Sequence, residues 1–285
     1  MRYSPSRYVE ELEKRIENRY LTIKGNIVKN IIIHTYWWSG EKNYGDLLVP
    51  LLLGSYGFTA IHSNIQQSDA VILGSVIQWL NPDYEGYVIG CGLMHEKEMR
   101  LPKAKIIALR GKLTKECLGE SKNVVLGDPG LLIRKLNIKR QKKKYLIGFV
   151  PHYLDKSDHR LKKLYLNSPK EIHLIDVQQN PIKTIREIDK CQYILSSSLH
   201  GIVASDALGI PNNWMLLSEK TTGTFKFHDY ASALGTKLDP CILNGNESLS
   251  ELINYTHSVS PKVEEVINDL NCLFNELRNI FIQNY

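Results

Sequence analysis

The chain has 285 residues, 43% hydrophobic and 23% charged, a composition typical of a globular protein with one or two domains. Basic residues outnumber acidic ones by 36 to 30, which gives a net charge of +6. This mild surplus favours small anionic ligands or lipid head groups and argues against an extended nucleic-acid interface. Neither a signal peptide nor a membrane-spanning apolar run is evident, so we expect a cytoplasmic protein.

The spacing of cysteines and histidines gives no sign of a bound metal. The five cysteines are widely scattered, without a Cys-x-x-Cys pair or a histidine spacing suited to zinc. We therefore predict reduced thiols, no metal and no other cofactor.

Hydrophobic periodicity predicts an N-terminal helix followed by alternating strands and helices. Within residues 5–20 the apolar positions recur every four residues, as in an amphipathic helix, at Tyr8, Leu12, Ile16 and Tyr20. Short β-branched runs separated by helix-compatible segments then follow at residues 27–36, 69–75, 86–92, 105–111 and 123–130. This alternation is typical of a parallel sheet covered on both faces.

The same alternation restarts after a basic segment, residues 135–144. Strands are predicted at residues 145–153, 171–177, 191–197 and 212–217, and a last helix at residues 261–283. We predict two Rossmann-like domains, residues 1–138 and 139–285, with the last helix packing back onto the first. The basic segment is interpreted either as a solvated linker or as a patch for anionic lipid or a lipid-linked diphosphate.

Chemically functional side chains follow several of the predicted strands. Ligands of open α/β sheets bind beyond the carboxyl ends of the strands, and the residues found there are Asn43, Gly45, Asp46, Arg110 and His152. Neither a dinucleotide fingerprint nor a phosphate loop is present. For Asp46, capping of a helix that runs through Leu53 is an alternative to catalysis.

The sequence SSSLHG, residues 196–201, predicts an anion-binding turn. A helix that begins near Leu199 directs unpaired N–H groups and a partial positive charge towards its N-terminus, and the serine hydroxyls add further donors. The alternative is that one serine only caps the helix while His200 is packed in the core.

Six motifs, in order along the chain, resemble those of the polysaccharide pyruvyl transferase family. They are NYGDLL (43–48), LRGKLT (109–114), GDPGLL (127–132), FVPHYLD (149–155), SSSLHGIVASDALGIPN (196–212) and FKFHDYASALG (225–235). The resemblance implies a GT-B-like arrangement of two Rossmann-like domains, with the active site in the interdomain cleft. It also implies transfer of pyruvate from phosphoenolpyruvate to two hydroxyls of a sugar, in a polysaccharide repeat or its lipid-linked precursor, with release of phosphate.

The chemistry of this reaction assigns expected roles to residues of those motifs. The donor's phosphate and carboxylate need cations and N–H donors, and its enol carbon needs a proton, so we expect His200 and Asp46 to be catalytic. The residues expected to contact the donor are Arg110, Lys226, His152, Ser196, Ser197, Ser198 and Leu199. Those expected to contact the acceptor are Asn43, Gly45 and Trp38. Several relatives carry arginine at the position of Ser198, which leaves Arg110 and Lys226 to neutralise the phosphate.

Two other functions stay open on the sequence alone. One is a GT-B glycosyltransferase that uses a sugar nucleotide, for which no acidic ribose-binding residue is clear. The other is a non-catalytic protein that binds glycan or phosphate, favoured if Ser198 marks a lost donor site. Because the acceptor of the pyruvyl transfer is expected to be lipid-linked, we also expect peripheral contact with the cytoplasmic membrane face.

Overall fold

The first half of the protein is built on a six-stranded parallel sheet. The structure, a computed structural model, describes residues 5–27, 29–218 and 223–283. The strands are β1 (Ile31–Tyr36), β2 (Phe58–His62), β3 (Ala70–Val71), β4 (Tyr87–Ile89), β5 (Lys105–Leu109) and β6 (Val125–Leu126). They pair in the order β2-β1-β3-β4-β5-β6, each pair in parallel.

The second half contains a four-stranded parallel sheet. Its strands are β7 (Tyr145–Val150), β8 (Ile172–Leu174), β9 (Cys191–Ser196) and β10 (Asn212–Trp214), in the order β10-β9-β7-β8. The predicted α/β class with parallel sheets is confirmed, and each apolar run noted in the sequence contains one strand. The sequence-based reading missed β2, which follows α2 after only two residues. The GT-B-like arrangement stays a prediction.

Helices connect the strands and cover the sheets. They are α1 (Pro5–Ile27), α2 (Leu48–Ser55), α3 (Lys112–Leu118), α4 (His159–Asn167), α5 (Pro181–Asp189), α6 (Leu199–Leu208), α7 (Phe225–Ala233), α8 (Leu249–Asn254) and α9 (Lys262–Ile282). Side-chain caps fix several starts; for example, Asn180 accepts from the Ile182 N–H at the start of α5. Across the described ranges, none of the helices is long and apolar enough to cross a membrane.

Helix α1 packs on the first sheet through small and polar residues. At Gly25 a β-carbon would lie only 2.8 Å from Thr59 Oγ1 on β2, and Asn18 Nδ2 donates to the His62 carbonyl (3.1 Å). Ile16 and Tyr20, by contrast, are each 62% exposed. An amphipathic surface helix ordinarily turns its apolar stripe to the core. Here the small Gly25 allows close approach by the opposite face.

The two halves share one apolar core. A single cluster of buried side chains includes Leu52 and Leu131 from the first half and Val150 and Ile202 from the second. The 3-10 helix Pro129–Leu136 packs against both α2 and α6. The predicted division between residues 138 and 139 lies in the connection between the sheets and stays a prediction.

Part of the basic segment is fastened to the second sheet. Arg140 forms an ion pair with Asp189 at the end of α5 (3.0 Å), and Lys143 Nζ donates to the Asp189 and Cys191 carbonyls (2.9 and 2.8 Å). These contacts join the connection between the two sheets to the end of α5 and the start of β9. Membrane contact by this segment stays a prediction.

The C-terminal helix α9 packs on the first sheet. The Phe281 ring lies 5.9 Å from the Phe58 ring and 5.0 Å from the Tyr87 ring, measured between centroids. Tyr56 also donates to Asn271 Oδ1 (2.9 Å). Helix α9 therefore covers β2 and β4 of the first sheet.

We expect Phe281→Ala to lower the free energy of unfolding by about 3 kcal/mol, because it leaves a cavity between α9 and the first sheet. Ile282→Ala is the matched control: Ile282 is 56% exposed, and its truncation should change stability by less than about 0.5 kcal/mol. Urea unfolding of both variants measures the difference. Equal losses would contradict the packing of α9 on the sheet.

Candidate active site

The strand orders of the two sheets predict where a ligand binds. In the first sheet β1 has β2 on one side and β3 on the other, and in the second sheet β7 has β8 on one side and β9 on the other. Open parallel sheets bind ligands at such switch points, beyond the carboxyl ends of the strands. The loops after β1, β3, β7 and β9 face each other and enclose a cavity of ≈ 180 Å³.

Eight of the twelve residues predicted from the sequence line this cavity. They are Trp38, Asn43, Asp46, His152, Ser198, Leu199, His200 and Lys226. The remaining four are buried behind its wall or against a lining residue: Gly45, Arg110, Ser196 and Ser197. The fold thus brings the motifs of both halves to one place.

The serine turn presents the N-terminus of α6 to the cavity. Ser198 is the N-cap residue, and its side chain makes no capping hydrogen bond; it lines the cavity instead. Ser196 and Ser197 brace the turn from behind. Ser196 Oγ accepts from the Ser198 N–H (3.0 Å), and Ser197 Oγ donates to Asp155 Oδ2 (2.7 Å). The first N–H groups of α6 and its partial positive charge therefore face the cavity.

His200 is held tightly between the two halves. Gly45 approaches the ring so closely that a β-carbon there would collide with Nδ1, and the Tyr44 ring stands edge-on to the imidazole, 6.4 Å away. Nε2 is buried and has no hydrogen-bond partner among the described residues, and the same holds for Tyr44 Oη and Asp128 Oδ2. Burial, reinforced by the charges of Lys226 and Arg110, lowers the pKa of His200 to about 3.

Among the described residues that line the cavity, Lys226 is the one cation, and burial sets the protonation of the others that titrate. Burial lowers the pKa of Lys226 to about 8 and that of His152 to about 4. It raises the pKa of Asp46 to about 7, although the Lys226 charge opposes the shift. At pH 7 the site therefore holds a charged Lys226, uncharged imidazoles and a carboxyl group close to its midpoint. Within the described residues, no three His, Cys, Asp or Glu side chains cluster as metal ligands do.

Arg110 lies behind the cavity wall and is fully buried. Its Nε donates to Asp229 Oδ2 (2.9 Å), one terminal nitrogen to Ser75 Oγ (2.6 Å) and the other to the Leu93 carbonyl (2.5 Å). Ser75 itself lines the cavity. In this arrangement Arg110 positions Ser75 and contributes positive charge from behind the cavity wall. Direct contact between Arg110 and a donor stays a prediction.

The sequence-based reading missed several lining residues. Ser75 follows β3. Because ligands of open α/β sheets bind beyond the carboxyl ends of the strands, its position could have been predicted from the sequence. Tyr153 follows the predicted His152. Trp79 ends a 3-10 helix (Ile77–Trp79) after β3, and Met94 lies in the loop after β4; neither segment carries a motif. The Trp38 and Trp79 rings lie 5.4 Å apart with an interplanar angle of 35°. Trp79 is 41% exposed, so this aromatic pair forms the rim of the cavity.

The profile of the family described as polysaccharide pyruvyl transferase matches residues 7–216. The chain belongs to this family. Its similarity to the uncharacterized protein L143 of Acanthamoeba polyphaga mimivirus is 29% identity over 59% of this chain and 63% of that protein. Its similarity to the succinoglycan biosynthesis protein ExoV of Rhizobium meliloti (strain 1021) is 27% identity over 72% of this chain and 66% of ExoV. The matches thus span just under two thirds of these relatives.

Among solved structures, the chain resembles the wall teichoic acid polymerase TagF, with 13% identity and a TM-score of 0.44. The match covers 93% of this chain and 90% of that one. A likeness at this level carries no argument about activity.

Asp46→Asn should raise the free energy of unfolding at pH 8 and change it less at pH 4.5. The pKa of Asp46 is about 7 in the folded protein and near 3.9 in an unfolded chain, so the folded state binds this proton more tightly. The contribution of Asp46 to stability is therefore greatest below about pH 4 and is lost as the pH rises to about 7. Because asparagine does not ionise, the variant does not lose this stability as the pH rises.

Denaturant unfolding at the two pH values measures this effect. Asp176→Asn, at an exposed carboxylate, serves as the control and should leave stability nearly unchanged at both. If Asp46→Asn is no more stable than the wild type at pH 8, the carboxyl group is not held at a desolvation cost.

Proposed function

We propose that this member of the family transfers the pyruvyl group of phosphoenolpyruvate to two hydroxyls of a sugar, forming a cyclic ketal and releasing phosphate. The observation that carries the proposal is the cavity itself. There the Lys226 cation, the N-terminus of α6, imidazole groups and a carboxyl group meet, and both halves of the chain contribute them. The family, and ExoV as a relative named for succinoglycan biosynthesis, support a sugar of a polysaccharide as acceptor.

The donor is expected to bind at the serine turn. Phosphoenolpyruvate carries a phosphate and a carboxylate close together, so its site needs positive charge and N–H donors fixed in advance. Lys226 and the N-terminus of α6 supply both, and the hydroxyls of Ser198 and Ser75 face the same space. Arg110, behind Ser75, adds charge without leaving its buried ion pair.

Proton transfers in this proposal fall to His200 and Asp46. Asp46 accepts the proton of the first sugar hydroxyl as its oxygen attacks C2, while the electrons of the C2–C3 double bond take up a proton from His200 at C3. The second hydroxyl then forms its bond to C2 as the C2–O bond to phosphate breaks. Asp46 passes the proton it took to the leaving phosphate, and the proton of the second hydroxyl returns to His200. The pKa of Asp46, about 7, suits a base at neutral pH.

Donor binding and His200 protonation are coupled in this scheme. With a pKa of about 3 in this structure, His200 is uncharged at pH 7. A bound multiply charged anion opposes the effect of Lys226 and Arg110 and raises the pKa. His200 therefore becomes an effective acid only when the donor is bound. Without the donor the imidazole stays uncharged and does not act as an acid.

The acceptor is expected to bind at the rim. Aromatic side chains provide the flat apolar surface on which a sugar ring packs, and Trp38 and Trp79 form such a surface beside Asn43 and Asp46. In this proposal the sugar lies with its hydroxyls towards Asp46 and its remaining length towards solvent. A glycan chain can then extend away from the protein.

The proposal is tested by incubating the protein with phosphoenolpyruvate and a panel of aryl and lipid-linked glycosides. Phosphate release together with an acceptor mass increased by one pyruvate ketal would support it. Turnover of a sugar nucleotide without phosphoenolpyruvate consumption would instead identify a glycosyltransferase. Binding of glycans or phosphate without any turnover would identify a binding protein.

We expect His200→Asn to lower kcat by at least about a hundredfold, because the proton donor to C3 is lost. His228→Asn is the matched control: His228 lies on α7 but is exposed and outside the cavity, so its kinetics should match those of the wild type. Steady-state phosphate release measures both. Normal turnover in His200→Asn would exclude this residue as the acid.

Trp79→Ala should raise KM for the acceptor by roughly tenfold, which corresponds to about 1.4 kcal/mol of lost packing. KM for phosphoenolpyruvate should stay within about twofold, since the donor binds at the opposite end of the cavity. The two KM values, measured on the same preparation, provide an internal comparison. An increase in the donor KM alone would place the sugar elsewhere.

A further inference from the structure

Helix α1 carries an exposed apolar seam, formed by Ile16, Tyr20, Ile23 and Ile27. These side chains are 62%, 62%, 54% and 75% exposed. Among the described residues they are four of the nine large apolar side chains with such exposure. The seam lies opposite Asn18 and Gly25, through which α1 contacts β2. Nothing in the described part of the chain covers it.

The spacing of the seam is that of a coiled coil. Its members are separated by four, three and four residues, which corresponds to positions d, a, d and a of a heptad repeat. A seam of this kind fits another helix of the same pattern. The residues beside it then determine which partner and which orientation are favoured.

The charges beside the seam favour an antiparallel second copy. Glu17 and Lys24 occupy successive e positions, and Arg19 and Asn26 successive g positions. In an antiparallel pair e positions face e positions, so Glu17 meets Lys24 of the second copy, twice by symmetry. In a parallel pair Arg19 would face Lys24 of the second copy and repel it.

The seam is also symmetric about its own centre. Residue numbers 16 and 27 have the same midpoint as 20 and 23, so an antiparallel pair places Ile16 opposite Ile27 of the second copy. Tyr20 then lies opposite Ile23 of the second copy. All four layers are apolar in this register. A lipid surface, by contrast, would favour basic residues on both flanks, whereas Glu17 and Lys24 share one flank here.

We propose that α1 is a self-association surface, which pairs antiparallel with α1 of a second copy of this chain. The contact is isologous and therefore closes as a two-fold dimer. One helix pair buries less area than a standard interface, so the dimer is weak, in the micromolar range. The proposal does not rest on the proposed function.

Analytical ultracentrifugation from roughly 1 to 100 μM protein tests the proposal. The wild type should dimerise. Glu17→Lys and Lys24→Glu should each raise the dissociation constant by roughly tenfold, because like charges then face each other. The double variant, with both charges exchanged, should recover nearly the wild-type constant at low salt. Arg15→Glu, on the same helix but away from the e and g positions, should have little effect.

Ile23→Gln should abolish dimerisation while the circular dichroism spectrum and the unfolding midpoint stay close to those of the wild type. A wild type that is monomeric over the whole range would overturn the proposal. A double variant no better than either single variant would exclude antiparallel pairing. Binding of a monomeric wild type to phosphatidylglycerol vesicles, lost in Ile23→Gln, would show that the seam meets lipid and would equally overturn it.

Discussion

The buried ion pair between Arg110 and Asp229 holds the two halves of the protein in register. Both side chains are fully buried, and such a pair is stable only when its remaining polar atoms are also bonded. Asp229 meets this condition by accepting from the Thr114 N–H (2.8 Å) and Thr114 Oγ1 (2.7 Å) at the start of α3. The contact joins the first sheet to α7, which carries Lys226 one turn before Asp229. The position of the Lys226 cation in the cavity therefore depends on the Arg110–Asp229 ion pair, which lies outside the cavity.

The cavity concentrates groups that are unfavourable for stability and useful for chemistry. Burial shifts the pKa values of Lys226, Asp46 and His200 in the direction that favours their uncharged forms. Among the described residues, His200 Nε2 and two buried polar atoms, Tyr44 Oη and Asp128 Oδ2, have no hydrogen-bond partner. A protein selected for stability alone would replace such groups with apolar ones. Their convergence at two facing switch points is the physical reason for proposing the cavity as the reaction site.

Sequence reasoning located most of the cavity because parallel strands place their carboxyl ends on one edge. Asn43, Asp46 and His152 follow strands, and Ser198 begins a helix, so their position was determined locally. Arg110 also follows a strand, yet its side chain turns inward, since Asp229, far away in the chain, is there to bind it. Trp79 and Met94 lie in connecting segments without a motif, and only the fold brings them to the cavity.

By itself, the sequence determined the α/β class, the places of all the described strands except β2 and the motifs that lead to the family, because hydrophobic periodicity and turn chemistry act over a few residues. The order of the strands, the facing of the two switch points and the shifted pKa values depend on contacts between distant segments, so only the tertiary structure decided them. The same holds for α1, whose repeat indicated an amphipathic helix. That its apolar side faces away from the sheet follows from the close approach of Gly25 to Thr59.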